Sequence, residues 1–258
     1  MKITVLGCGG SGGVPLADGT PGGNWGVCDP DNPRNRRRRV SILVEQGDTT
    51  LLVDTGPDIR AQLLDSGPGR VEAVLFTHSH ADHCHGLDEL RSMATARGGP
   101  IDAYMDRPTR AALTQRFDYA FASSHTPNGF YKPILNDIPI EGPVEIGGVR
   151  VVPFVQQHGR ETSLGYRFGD AAYSTDVTEL DEAAFSALDG VKLWILDCLR
   201  ERPHPTHSHL EQSLEWIARV GPARAVLTHM NHQIDYKHLE SLCPPGVEPA
   251  YDGMVLEL

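Results

Sequence analysis

The chain has 258 residues, 40% of them hydrophobic, enough for one large domain over 1–258 with a substantial core; no low-complexity linker or internal repeat is read in it. Acidic residues outnumber basic ones by 34 to 23, and the formal charge of −11 disfavours a general nucleic-acid or anionic-membrane surface and points to a small substrate rather than a polyanion. Cys8, Cys28, Cys84, Cys198 and Cys243 are odd in number and lack paired spacing, which excludes a disulfide framework and agrees with a reducing compartment.

The opening Met1-Lys2-Ile3-Thr4-Val5-Leu6 predicts a strand at 2–6 and runs straight into glycines without the apolar region of a signal peptide. No segment approaches a membrane span, so a cytoplasmic location is expected. Gly7-Cys8-Gly9-Gly10-Ser11-Gly12 satisfies the dinucleotide pattern G-x-G-x-x-G, yet Val14-Pro15 and the Pro and Gly residues through Pro33 leave no helix to receive a pyrophosphate, and the run reads as a tight turn. The basic run Arg34, Arg36, Arg37, Arg38 and Arg39 precedes strands at 40–45 and 50–53; it forms either an ion-paired face or a phosphate contact, the latter through Arg39, which enters a strand. A helix over 57–66, framed by Pro57 and Gly67, is followed by a strand at 71–76 and helices over 84–97 and 108–121. The turn-forming stretch 123–131, with His125 and Tyr131, reads as an ordinary loop or as one wall of a substrate pocket. Strands at 149–155, 163–168 and 171–174, a helix over 179–188, a strand at 193–196, a helix over 209–220 and strands at 223–227 and 254–256 complete the pattern. Strands dominate early and then mix with helices, which predicts an α/β protein: two sheets face to face with helices outside, a four-layer αββα sandwich, the alternative being a single doubly wound sheet.

Thr77-His78-Ser79-His80-Ala81-Asp82-His83 places four metal-capable side chains in six residues just after the apolar run at 71–76. In an extended segment residues two apart point the same way, so His78 and His80 can share one ion while Asp82 and His83, where the chain turns into a helix, reach a second. Two such ions activate water and hold the oxygens of a displacement reaction, so hydrolysis is the expected chemistry. Other apolar runs end in Asp54, Asp176, Asp197 and His229, and 149–155 leads into His158. Singly, each is most simply a turn former or a satisfied polar group; strand ends converging on one edge would gather them into one site.

The H-x-H-x-D-H motif, matched in full by His78, His80, Asp82 and His83, resembles that of the metallo-β-lactamase superfamily, and the resemblance covers nearly the whole chain. It implies His78, His80 and His158 as ligands of a first ion, Asp82, His83 and His229 as ligands of a second, Asp176 as the bridge, and Asp54 as the group orienting a ligand histidine. A secreted β-lactamase is disfavoured, because Asp176 stands where such enzymes carry Cys. A flavodiiron oxidoreductase is disfavoured too, because His80 stands where those proteins carry Glu. Leu6-Gly7-Cys8-Gly9-Gly10-Ser11-Gly12-Gly13-Val14-Pro15, Thr228-His229-Met230-Asn231-His232-Gln233 and Tyr251-Asp252-Gly253-Met254 look like the phosphodiesterases that open phosphoribosyl 1,2-cyclic phosphate in phosphonate breakdown; coenzyme-PQQ synthesis protein B and the short tRNA 3′-processing endonucleases are near relatives. That likeness implies a general-acid histidine at His207, with His209 as its rival at the next helix start. It also implies an extra structural metal held by clustered N-terminal cysteines; only Cys28 stands in that region here, so this metal is expected to be absent and His232 to be structural.

The expectation is therefore a phosphodiesterase carrying two divalent ions, zinc or manganese, and acting on a small, cyclic phosphate ester of a ribose or nucleotide, with no stable nucleic-acid or membrane partner. A homodimer is compatible with the chain. The runner-up readings are a tRNA 3′-processing endonuclease and a metal-dependent accessory protein or oxygenase in cofactor synthesis.

Overall fold

The computed structural model describes residues 1–122 and 132–258, so His125 and Tyr131 lie outside the described residues. The first half holds β1 (Lys2–Gly7), β2 (Ser41–Gln46), β3 (Thr49–Val53), α1 (Ile59–Ser66), β4 (Ala73–Leu75), α2 (Ala81–Cys84), α3 (Arg91–Arg97), β5 (Ile101–Met105), α4 (Arg107–Arg116) and β6 (Leu135–Pro139). The second holds β7 (Val144–Ile146), β8 (Val149–His158), β9 (Glu161–Phe168), β10 (Ala171–Ser174), α5 (Glu182–Leu188), β11 (Leu193–Asp197), α6 (Leu210–Val220), β12 (Arg224–Thr228), α7 (Tyr236–Leu242), β13 (Val247–Pro249) and β14 (Val255–Glu257).

Among the described residues the strands form two seven-stranded sheets, ordered β14-β1-β2-β3-β4-β5-β6 and β13-β12-β11-β10-β9-β8-β7. Each sheet begins as an antiparallel meander and becomes parallel where helices start to connect the strands, at β3–β4 in the first and β10–β11 in the second. Period-two alternation along the strands explains the layers. Ile42, Val44, Leu51, Val53, Ala73 and Leu75 enter the core shared with the second sheet, while Leu43, Leu52 and Val74 enter a separate core with Ile59 of α1, Ala94 of α3 and Leu113 of α4. The predicted αββα sandwich is thus the architecture, rather than one doubly wound sheet.

The helix predicted over 84–97 is broken, and the break places the site. The motif turns into α2 at Ala81, three residues earlier than expected, and the chain then passes Gly86 and a 3-10 turn at Leu87–Leu90 before α3. Gly86 donates its amide to the Thr55 carbonyl at 2.8 Å, and a Cβ there would lie 2.2 Å from the Gly56 carbonyl oxygen. A Cβ on Gly56 would in turn lie 2.1 Å from the Asp82 carbonyl oxygen. These two glycines let the turn carrying Asp82 and His83 seat directly on the end of β3.

A repeat that the residues did not announce emerges from the sheets. Ser41, Gly47-Asp48 and Asp54 recur with the same spacing as Ser163, Gly169-Asp170 and Asp176, each set spanning one hairpin and the strand leaving it. Gly47 and Gly169 make the two turns with φ of 57° and 56°. The Ser41 hydroxyl donates to the Val53 and Asp54 carbonyls at 2.8 and 3.0 Å, and the Ser163 hydroxyl donates to the Asp176 carbonyl at 2.8 Å.

No helix among the described residues is long and apolar enough to cross a membrane.

Candidate metal centre

Asp54, Asp176 and His229 leave parallel strands in the left-handed backbone region, with φ of 63°, 55° and 60°. This conformation costs a non-glycine residue on the order of 1 kcal/mol or more and persists where its surroundings over-determine it. The serine hydroxyls just described hold two of these corners, and the glycine-rich turn packs on the third: the Gly10 amide donates to the Met230 carbonyl at 3.2 Å. A Cβ on Gly7 would lie 2.1 Å from the Arg39 carbonyl oxygen and one on Gly9 2.9 Å from the Arg37 carbonyl oxygen, so the glycine pattern serves a close backbone approach.

The histidines of the cluster present one ring nitrogen inward and turn the other toward an outer partner. His83 Nδ1 lies 2.7 Å from Asp54 Oδ2, and Asp54 is itself fixed by the Thr77 amide and hydroxyl, both at 2.8 Å. His158 Nδ1 donates to the Thr206 carbonyl at 2.6 Å; His80 Nε2 faces Glu161 at 3.2 Å; His78 Nδ1 meets the Thr77 hydroxyl at 3.1 Å. His229 Nδ1 stands 3.7 Å from Asp197 Oδ1. The inner atoms converge on Asp176. Its Oδ1 lies 3.8 Å from His78 Nε2 and 3.6 Å from His158 Nε2, and its Oδ2 lies 3.1 Å from His83 Nε2 and 3.3 Å from His229 Nε2. Asp82 Oδ2 adds contacts of 3.3 Å to His83 Nε2 and 3.7 Å to His229 Nε2.

Two ligand sets match the resemblance, His78, His80, His158 with Asp176, and Asp82, His83, His229 with Asp176, and Asp197, His207 and His229 form a third metal-capable group; the ligand-capable atoms of each lie within 4.8 Å of one another. Among the described residues the buried Nε2 atoms of His78, His83 and His229 have no hydrogen-bond partner. Unsatisfied buried nitrogens cost roughly 1–3 kcal/mol each, and a cation between them and the carboxylates satisfies them. The residues fit metal binding.

Electrostatics divides the two sets. Burial, reinforced by neighbouring His83, holds His78 well below the ordinary histidine range, and burial lowers His158 against the pull of Asp176. For His83 burial acts in the same direction, but Asp176, Asp82 and Asp54 outweigh it and raise the ring well above its ordinary value. His229 rises to about 9, burial being overcome by Asp176, Asp82 and Asp197. Asp176 falls well below the usual carboxylate range, because His229 and His83 outweigh its burial. His78 and His158 are thus pushed toward neutral imidazole, whereas the carboxylates around His83 and His229 favour their protonated forms.

His207 stands beside both sets. Its Nδ1 is 3.2 Å from Asp197 Oδ2, which also accepts the Val177 amide at 3.1 Å, and 3.7 Å from Asp176 Oδ1. Its ring stacks on His229 with centroids 4.6 Å apart. His209 occupies the N-cap position of α6 without a side-chain cap bond and belongs to neither ligand set. His232 accepts the Val27 amide on its carbonyl at 3.0 Å, outside both sets. Where the resemblance implied an extra metal, a buried guanidinium ties the loops: Arg37 donates to the Asn231 and Ile234 carbonyls at 2.9 Å, and Cys28 Sγ donates to Ile234 at 3.4 Å. The rest of the basic run is also engaged: Arg34 with the Tyr236 hydroxyl at 2.9 Å, Arg36 over Trp25, Arg38 with Asp65 at 2.7 Å and Arg39 with Asp58 at 3.1 Å. Asp197 was visible in the sequence only as a polar strand end, and nothing in the spacing announces Glu161, Thr77 or the Thr206 carbonyl as outer partners.

The Beta-lactamase superfamily domain model matches residues 49–230, and the chain belongs to this superfamily. Within it the likeness is to the PhnP family: the chain is 32% identical to a crystal structure described as a new diphosphatase from that family, covering 100% of this chain and 97% of the other with a TM-score of 0.87. Zn2+-bound PqqB from Methylobacterium extorquens shares the fold at 21% identity and a TM-score of 0.80, covering 100% of both chains. An octanoyltransferase of Porphyromonas gingivalis is 32% identical over 98% of this chain, but the chain spans about half, 51%, of that relative's length.

Proposed function

We propose that the protein is a metal-dependent phosphodiesterase that hydrolyses a small, cyclic phosphate ester of a ribose or nucleotide. Membership of the superfamily and a cluster able to bind metal support a metal-dependent hydrolase; the substrate class is the further step. The observation that carries it is the placement of His207, tethered to Asp197 and lying against both ligand sets. His78, His80 and His158 would hold one zinc or manganese ion, Asp82, His83 and His229 the other, with Asp176 shared. When bound, the ions supply Lewis acidity and lower the pKa of water.

The chain's own groups do the rest. Asp54 orients His83, and Asp176 spaces the two ligand sets through its two oxygens. Asp197 accepts from His207 Nδ1, which leaves Nε2 to carry the proton delivered to the departing alkoxide. The cluster lies at strand ends, with His80 and Glu161 forming its open side. A second reading, hydrolysis of a diphosphate, is favoured by the diphosphatase relative. The test is turnover of bis(4-nitrophenyl) phosphate, ribose cyclic phosphates and nucleoside diphosphates by protein loaded with zinc or manganese. Turnover confined to the diphosphates favours the second reading, and inactivity on all three overturns both.

A further inference from the structure

We propose that His204 recognises the leaving group of the substrate, its Nε2–H donating to an oxygen on the departing alcohol while His207 protonates that alcohol; the proposal rests on the phosphodiesterase reading. His204 sits at the rim of the centre on the loop between β11 and α6, its ring centroid 5.2 Å from that of His207 and tilted by 41°. It is half-buried, whereas His158 and His229, the other two rings against His207, are buried. His207 must lie on the oxygen whose bond to phosphorus breaks. A second ring on the same loop, 5.2 Å from His207, is placed to meet what is attached to that oxygen.

The loop is built to hold this ring. Arg200 donates to the Arg202 and Pro203 carbonyls at 3.1 and 2.7 Å and to Gln233 Oε1 at 3.1 Å. The Thr206 carbonyl accepts from His158 at 2.6 Å, and the Thr206 methyl seats against Gly159, where a Cβ would come within 2.8 Å of it. The tautomer is set as well. The Thr206 backbone amide, which can only donate, reaches His204 Nδ1 at 3.3 Å, so Nδ1 is the acceptor and the neutral ring carries its hydrogen on Nε2. Burial, with His207 and Arg200 nearby, disfavours a second proton. The result is a fixed, neutral N–H donor at the mouth. Such a donor pairs with a hydroxyl or phosphate oxygen, and a plain alkyl leaving group leaves it without a partner. The ligand class is an alcohol that carries further oxygens, as a sugar does.

The experiment compares two phosphodiesters with the same phosphoryl part, one releasing glycerol and the other propanol, in wild type, His204→Ala and His204→Gln, all loaded with zinc or manganese and checked for metal content. The wild-type preference in kcat/KM for glycerol over propanol should fall about tenfold in His204→Ala and return largely in His204→Gln, whose amide keeps a donor. Metal content should be equal in all three. Equal losses on both substrates, or an unchanged preference, would overturn the role of His204 alone. Hydrolysis by wild type of neither these two substrates nor the ribose cyclic phosphates would overturn the phosphodiesterase reading and the assignment resting on it.

Discussion

At the scale of single residues, the proposed ligand and the proposed acid are separable by what their loss removes. Asp176 faces both ligand sets, so Asp176→Ala should lose metal and turnover together, as elemental analysis beside an activity assay would record. His207→Ala should retain the ions and slow turnover of a poor leaving group by roughly 10²–10⁴, with a smaller loss for an aryl leaving group. Loss of metal from His207→Ala, or the same leaving-group dependence from His209→Ala, would move the acid elsewhere. The pKa division of the centre has its own signature. His229 is raised to about 9, so below that pH an ion entering the second set must displace its proton, and affinity falls as pH falls. His78 and His158 are shifted toward the neutral form, so these two ligands of the first set should bind with little proton release. Calorimetric titration of metal-free protein between pH 6 and 9 in buffers of different ionisation enthalpy should therefore resolve one pH-steep and one pH-shallow site.

At the scale of elements, the position of α2 depends on Gly56 and Gly86. Adding a methyl to Gly86 drives a Cβ to 2.2 Å from a backbone oxygen that cannot move without β3. Gly86→Ala should destabilise the fold by about 1–3 kcal/mol and weaken binding at the Asp82–His83 side by roughly 10–100-fold, measured by urea unfolding and by metal titration. The motif residues and the strand-end polar groups were legible in the sequence, because metal chemistry restricts residue type and spacing so strongly. The order of the sheets was less so. β5, β6, β7 and β13 leave little trace in the sequence because strands of three to five residues carry little alternation, and in β6 Asn136, Asp137 and Pro139 hide the pattern. The sequence predicts one helix over 84–97 because the apolar periodicity survives the break at Gly86, whose cause is a backbone contact from Thr55, just beyond β3. Glu161 and Thr206 were silent because their roles come from tertiary approach: Glu161 reaches a histidine 81 positions away, and Thr206 acts through its carbonyl.

At the scale of the whole molecule, charge selects among substrates. The formal charge is −11, and the arginines at 34–39 are engaged by aromatic rings, carbonyls, Asp58 and Asp65 rather than aligned as a phosphate track. A tRNA needs many phosphate contacts, each releasing counterions, whereas a small cyclic phosphate needs the centre alone. We expect hydrolysis with a shallow salt dependence and no comparable cleavage of precursor tRNA at physiological salt. Efficient tRNA cleavage that falls steeply between about 50 and 200 mM salt would promote the endonuclease reading.

The repeated hairpin units give the centre an unusual dependence on the fold. Asp54 and Asp176 hold matching places at the ends of matching strands, yet one is walled in behind His83 while the other faces the inner nitrogens of four histidines. The half containing the first sheet's strands supplies Asp54, His78, His80, Asp82 and His83; the other half supplies His158, Asp176, Asp197, His207 and His229. Each of the two ligand sets built on Asp176 draws on both halves, whereas the third group, Asp197, His207 and His229, lies within the second. Chemistry here acts as a check on assembly: a chain whose two sheets have not closed on each other has loose histidines and no centre.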